Sequence, residues 1–451
     1  MAQDRQGNPI TGSAASAAAL DAVIWDYYAW TGDILGTLGA AVRDDPGFVL
    51  GHTATATILL LGGFRSDHPA VMDALATADA VVAKATAREQ AHMAVAKTVT
   101  AGQLRDAARL CEHILASHPV DALVLRYATD LYYYLGDANG IRDVVARALP
   151  AWRETDPIYG FILGRHAFGL EESGELDRAY EVARRALTIN PRDVWATHAT
   201  AHVHEMRGQP DEGIHFLEST HKDWQAGKWL AVHNGWHLAL FLIDAGRGDE
   251  VLAKYDVFVQ PRLKDNFILD LIDAASLLWR LELTGADVGA RWTEVAGIAA
   301  ARIGEHVLAF NDLHVMLGLA GGKDRAAMAK LLASVDRYLA DAKGDNRVVT
   351  ADVGRALVIG MEAFGGGDDR RAIEALLPVR EAVERIGGSQ AQRDVVDETL
   401  IAAALRAEDW VVARTVLAAR MKGRPTPRTL RLRDQVEARF ASILQKTGQR
   451  A

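Results

Sequence analysis

The chain has 451 residues, too many for one ordinary compact core, so it must be either several globular domains or a quasi-linear repeat array. Its 50 Lys and Arg against 59 Asp and Glu leave a formal charge of −9, which speaks against a broad phosphate-binding surface and so against a nucleic-acid partner. A single cysteine, Cys111, excludes an internal disulfide framework and any cysteine-rich zinc or iron–sulfur site; a metal would need His, Asp and Glu ligands.

Residues 1–13 carry no apolar run and are expected to be disordered. The Ala/Ser stretch 14–19 lacks flanking Lys or Arg, so no signal peptide is read. Apolar stretches such as 194–203 are broken by His and Thr well short of the roughly 20 residues a membrane span requires. A soluble, cytoplasmic protein with no membrane partner is expected.

Along the middle of the chain, turn glycines preceded by an amphipathic run recur at Gly102, Gly136, Gly174, Gly208, Gly246, Gly285 and Gly322, separated by 34, 38, 34, 38, 39 and 37 residues. That period belongs to helix–turn–helix repeats. The best copy spans 160–191. Gly174 stands in the interhelical turn, Ala179 and Ala186 where two helices approach, and Pro191 where the second helix stops. β-branched residues fall inside 3.6-period patterns such as 347–363 and not in alternating runs, so no strand array is expected. The predicted fold is all-α: an α-solenoid of tetratricopeptide-like helical hairpins, continuous over 14–423 with its best copies in 88–246. Gly365, Gly366, Gly367 and Gly387, Gly388 read as loop punctuation. Residues 424–451 turn basic, with Arg424, Arg428, Arg431, Arg433 and Arg439. They are expected to form a solvated capping helix, with an interaction tail as the alternative.

The segments REQAHMAVAKTVTAGQLRDAARLCEHILASHPVDAL, YGFILGRHAFGLEESGELDRAYEVARRALTINPRDVWATHATAHVHEMRGQPDEGIHFLE, HNGWHLALFLIDAGRGDEVLAKYD, LIDAASLLWRLEL and FNDLHVML together resemble the tetratricopeptide repeat protein 38 family. The likeness runs from about Tyr28 to about Gly322 and includes unusual residues outside the repeat skeleton. It implies an α-helical repeat fold in a free-standing, soluble protein, and names no activity.

In tetratricopeptide arrays the first helix of each pair lines the concave surface. With each turn glycine as register mark, His198, His202 and Glu205 take three successive groove positions, and His233 and His237 follow on the next repeat. The same register places His92, then Arg126, Asp130 and Tyr133, then Glu171, and further on Trp279 and Asp312. His204 and His215 fall off this face and are expected to be exposed, while His166 faces the partner helix. His306, Asn311, Asp312 and His314 form a second cluster that needs a bend or helix end to converge. Asp270 and Asp273 read as first-turn acids.

Imidazole with carboxylate suits acid–base chemistry, so His202, Glu205, His237 and Glu171 are the catalytic candidates. His92, Arg126, Asp130, Tyr133, His198, His233, Trp279 and Asp312 are the ligand-binding candidates. His198, His202, His233 and His237 could instead hold a divalent metal, although HVHEMRG is not the zincin order. The bland alternative is histidines satisfied by backbone carbonyls or carboxylates inside the array. No phosphate-binding loop, dinucleotide fingerprint or serine nucleophile elbow is present, so nucleotide and serine-hydrolase chemistry are not expected. The expected function is a His/Glu-lined site for a small organic ligand, leaning to an acid–base or metal-assisted hydrolase or lyase, with a divalent metal the one cofactor considered. The alternative is a non-enzymatic scaffold binding a protein segment in the same groove.

Overall fold

The computed structural model describes residues 2–448, and side-chain surroundings as far as residue 442. Helix follows helix throughout, as expected of an all-α chain. Among the described residues, β structure is confined to an antiparallel pair, Ala2–Gln3 against Pro9–Ile10. Residues 2–13 of the segment expected to be disordered are therefore held in place; Met1 lies outside the described residues. Ile10 is buried, Thr11 donates to both oxygens of Glu89 at 2.8 and 2.7 Å, and Arg88 donates to the Pro9 carbonyl at 3.2 Å. Composition misses this because the stabilising partners lie some 78 residues away.

The chain forms two compact units. The first comprises Met1–Thr200, Asp223–Leu230 and Lys343–Val348; the second comprises Ala201–Lys222, Ala231–Ala342 and Val349–Ala451. In the first, helices pack on their sequence neighbours, with Tyr159–Glu172 lying against both Ala138–Ala148 and Leu176–Ile189. Small residues permit this approach. A Cβ on Gly169 would stand 2.6 Å from the Arg142 backbone nitrogen, and Ala179, Ala183 and Ala186 are fully buried. In the second unit Ile268–Leu283 packs on Ala309–Gly321 and on Gln390–Arg406. The latter carries Trp410–Gly423, which in turn carries Pro427–Gly448.

The predicted turns close as the glycine pattern requires. Gly174 sits at φ 81°, with Glu175 N donating to Leu170 O at 2.8 Å, the bond that seals a Schellman turn. At Gly322 the expectation fails by one residue. Gly322 keeps a helical φ of −72°, and Lys323 takes the left-handed position at 58°. Asp324 N still closes on Leu319 O at 3.0 Å. Gly322 is needed for space instead, since a Cβ there would stand 2.4 Å from Ala296 Cβ.

A Cβ at Gly174 would meet nothing within 4 Å, so substitution tests the backbone alone. Gly174→Ala is expected to lose about 1 kcal/mol and Lys323→Gly to gain about 1 kcal/mol, the cost of a left-handed non-glycine residue. Denaturant titration of both variants checks this, and unchanged midpoints would refute the turn assignment.

Candidate functional site

Helix Val194–Met206 carries three of the candidate residues. It starts at Asp193, whose Oδ1 accepts from the Trp195 and Ala196 nitrogens at 3.0 Å each; burial pushes this carboxyl up to about 7. The division between the units falls inside this helix, so His198 belongs to the first unit and His202 and Glu205 to the second.

In the first unit His198 rests against Phe168 and Trp195, ring centroids 5.3 and 5.1 Å away. Trp195 leads to a buried charge cluster. Arg126 Nε donates to Asp130 Oδ2 and Arg165 Nη1 to Asp130 Oδ1, both at 2.8 Å, and the Tyr27 hydroxyl adds a third bond at 3.2 Å. Two guanidinium groups thus share one carboxylate. Burial, and then Arg126, lower the Arg165 guanidinium to about 10. Aromatic faces take up the remaining charge: Arg165 lies 3.7 Å from the Trp195 centroid, and Arg126 lies 4.3 and 4.7 Å from those of Tyr27 and Trp30. Arg165 was not anticipated from sequence, because its helical position did not fall on the assumed groove stripe. Half-buried Tyr133 packs beside Phe168 and Tyr134, and Glu171 is buried on the same helix as Arg165.

His92 belongs to a different cluster. Its Nε2 lies 2.8 Å from Asp121 Oδ2, which Arg88 also binds at 2.6 Å. Against the opposing effect of burial, His92 and Arg88 hold the Asp121 carboxyl well below the ordinary carboxylate range. Asp121 also caps helix Ala122–Tyr134, so His92 supports a helix start. His166, like His92, is buried.

In the second unit His202, His233 and His237 converge. The His202 and His237 ring centroids are 4.5 Å apart, and those of His233 and His237 are 4.9 Å apart. His237 Nδ1 lies 2.7 Å from Glu205 Oε2, and His233 Nδ1 lies 2.9 and 3.0 Å from the two oxygens of Asp273. An ionised carboxylate only accepts, so Nδ1 is the donor in each pair. Burial, reinforced by His202, His233, Arg424 and Arg280, holds His237 well below its ordinary value and so neutral. A neutral imidazole oriented this way suits proton acceptance or metal ligation, with His202 and His237 the pair that could hold an ion. Asp273 was read as a helix-start acid. Its pairing with a histidine 40 residues earlier leaves no mark in local spacing.

Glu205 does not stand ready as a mobile acid. Its second oxygen lies 2.9 Å from Arg424 Nη2. Arg424 also binds Asp244 at 2.9 Å and Asp394 at 2.8 Å, while Arg420 clamps Asp394 with two bonds of 2.8 and 2.7 Å. Arg424 is 5% exposed, which corrects the expectation that it lies on a solvated helix. Two buried carboxylates and the largely covered Asp394 require a cation, and this one is supplied from just before Pro427–Gly448. Arg428 likewise turns in to Glu398 at 2.5 Å, whereas Arg431 stays exposed.

The remaining candidates go elsewhere. Trp279 donates to the Thr399 hydroxyl at 2.9 Å and packs on Phe364. Asp312 pairs with His306 at 2.9 Å, and His314 bonds the Phe310 carbonyl of its own helix at 2.8 Å. Burial lowers His314 to about 4. His204, expected to be exposed, is buried beside Phe216, with Nδ1 3.3 Å from Gln209 Oε1; His215 is exposed. Helix Val194–Met206 buries His204 as well as His198, His202 and Glu205, so more than the groove-facing stripe is enclosed.

Arg424→Ala removes the cation that Glu205, Asp244 and Asp394 share, and is expected to destabilise the fold by about 3–5 kcal/mol. The exposed Arg431→Ala should change stability by less than about 0.5 kcal/mol. Equal effects in thermal denaturation would refute the network's importance.

No family model matches the chain. Solved structures similar to it include the human IFIT1 dimer with m7Gppp-AAAA, at 15% identity over 87% of this chain and 90% of that one, with a TM-score of 0.38. Yeast Tom70 matches at 14% identity over 96% of each chain, with a TM-score of 0.33. A structure of Naa15/Naa10 bound to HypK-THB matches at 15% identity over 92% of this chain and 64% of that chain, with a TM-score of 0.25. By its own hairpins and turns, the chain has an all-α fold of tetratricopeptide-like helical hairpins.

Proposed function

We propose that the protein is a tetratricopeptide-type scaffold that binds a segment of a partner protein, and that the His202, Glu205 and His237 cluster serves the fold. The observation that carries this reading is that the proton-bearing groups are committed to one another. His237 is tied to Glu205, Glu205 to Arg424, and His233 to Asp273, all with side chains no more than 7% exposed. His202, His237 and Glu205 are 0–1% exposed, which leaves a general acid or base no surface to offer a substrate, whereas a closed set of buried charges is what low-dielectric surroundings demand. Membership of the tetratricopeptide repeat protein 38 family, suggested by the segments quoted above, accords with this role. The net charge of −9 supports a partner other than nucleic acid and a cytoplasmic setting. Among the described residues no helix is long and apolar enough to cross a membrane.

One observation favours a second reading, a small-ligand site using acid–base or metal chemistry: His202 and His237 meet at 4.5 Å, and His237 is held neutral. Elemental analysis of untagged protein tests its metal form. On the scaffold reading less than about a tenth of an equivalent of any transition metal is expected, and chelation leaves the melting temperature unchanged, because no ion stabilises the folded state by mass action.

The two readings separate on His202→Ala with Glu205→Gln. Wild type and the double variant are incubated with a metabolite extract and, in parallel, used as bait for protein partners. The scaffold reading predicts a retained partner and no metabolite consumption by wild type that is lost in the double variant. Consumption by wild type that falls on the order of 10²–10⁴ in the variant would replace it with the enzyme reading.

A further inference from the structure

Helix Arg325–Asp341 holds Ser334 near its middle, with the Oγ 2.8 Å from His306 Nε2. The opposite ring nitrogen, His306 Nδ1, lies 2.9 Å from Asp312 Oδ2. All three residues belong to the second unit and are 3–7% exposed. They come from three separate places: a helix, the loop ahead of Ala309–Gly321, and the first turn of that helix. The order of groups has a chemical meaning. With Asp312 accepting at Nδ1, the Nε2 lone pair faces the serine, and the hydroxyl is the donor. An imidazole so placed can take the hydroxyl proton as the oxygen attacks, while the carboxylate keeps the ring in that tautomer.

The backbone around the imidazole is unusual as well. His306 is held at φ 46°, a left-handed conformation that non-glycine residues seldom adopt and that costs on the order of 1 kcal/mol. Gly304, at φ 101°, brings its backbone beside the serine, so that a Cβ there would lie 3.6 Å from Ser334 Oγ. The half-buried Tyr338 ring lies over the imidazole at 4.9 Å, and the loop residues Arg302, Ile303, Glu305 and Val307 are partly exposed. Ser334 and His306, 6% and 7% exposed, thus border a partly exposed loop.

We propose that Ser334, His306 and Asp312 form a serine-nucleophile site that hydrolyses small carboxylic esters, independently of the scaffold role. Ser334 Oγ bonds to the ester carbonyl carbon while its proton passes to His306 Nε2. The tetrahedral adduct collapses, the bond to the alcohol oxygen breaks, and His306 returns the proton to the departing alcohol. Water then adds to the acyl-serine with the same proton transfers, releasing the carboxylic acid and restoring the hydroxyl. Ester and water become acid and alcohol, with no oxidant or reductant. Ser334 and His306 are the catalytic residues and Asp312 is a positioning residue. No nucleophile-elbow motif announces the site, because the serine is presented from a helix.

The test is covalent labelling of the full chain with a small alkyl fluorophosphonate, followed by peptide mapping. The expected result is one phosphonylated residue, Ser334, with no adduct on Ser334→Ala. His306→Ala should slow labelling on the order of 10²–10⁴-fold. Asp312→Asn should slow it too, and Asp312→Glu should recover part of the rate at a matched melting temperature, which a merely structural role would not produce. The wild-type map decides without any variant: no adduct, or an adduct on another serine, overturns the proposal.

Discussion

Arg424 is the group on which the second unit depends. Its guanidinium joins Glu205, Asp244 and Asp394, carboxylates drawn from three helices, in a setting with almost no solvent. Isolated, each carboxylate would be costly to bury; together around one planar, always-charged fork they are held in a single arrangement. The consequence passes outward through ion pairs. Arg424 fixes one oxygen of Glu205, Glu205 fixes the Nδ1 proton of His237, and His237 presents a defined lone pair beside His202. Chemistry or packing at the histidines therefore depends on a side chain about 190 residues further along the chain.

The first unit solves a related problem differently. Asp130 faces two arginines where Arg424 faces three acids, and the excess is positive. Aromatic rings supply what water would otherwise supply, with Trp195 under Arg165 and Tyr27 and Trp30 under Arg126. Aromatic residues that composition alone marks as core thus also solvate charge.

Histidine shows how far surroundings decide role. His92 helps hold a helix cap through Asp121; His314 closes onto its own helix; His237 is kept neutral between carboxylate and cations; and His306 bridges a serine and an aspartate. The intrinsic ring is the same in each. What differs is which atom stands at each nitrogen, and that is set by elements far apart in sequence.

The repeat period, the turn glycines and the small residues between paired helices were legible because they are local. A left-handed turn favours glycine, and helices that approach closely favour alanine or glycine. The repeat register likewise set His202 and His237 on neighbouring groove positions, and helical spacing set Arg126 beside Asp130, since residues four apart share a face. Tertiary structure alone decided the rest. Arg165 joined Asp130, Asp273 joined His233, Arg424 turned inward to Glu205, and Ser334 met His306, across separations of 28 to well over 100 residues. Buried charge is satisfied by whichever opposite group the packing delivers, and no local period records that choice. Lys323 taking the turn position beside Gly322 makes the same point: a one-residue preference yields when the neighbouring helix needs the glycine for space.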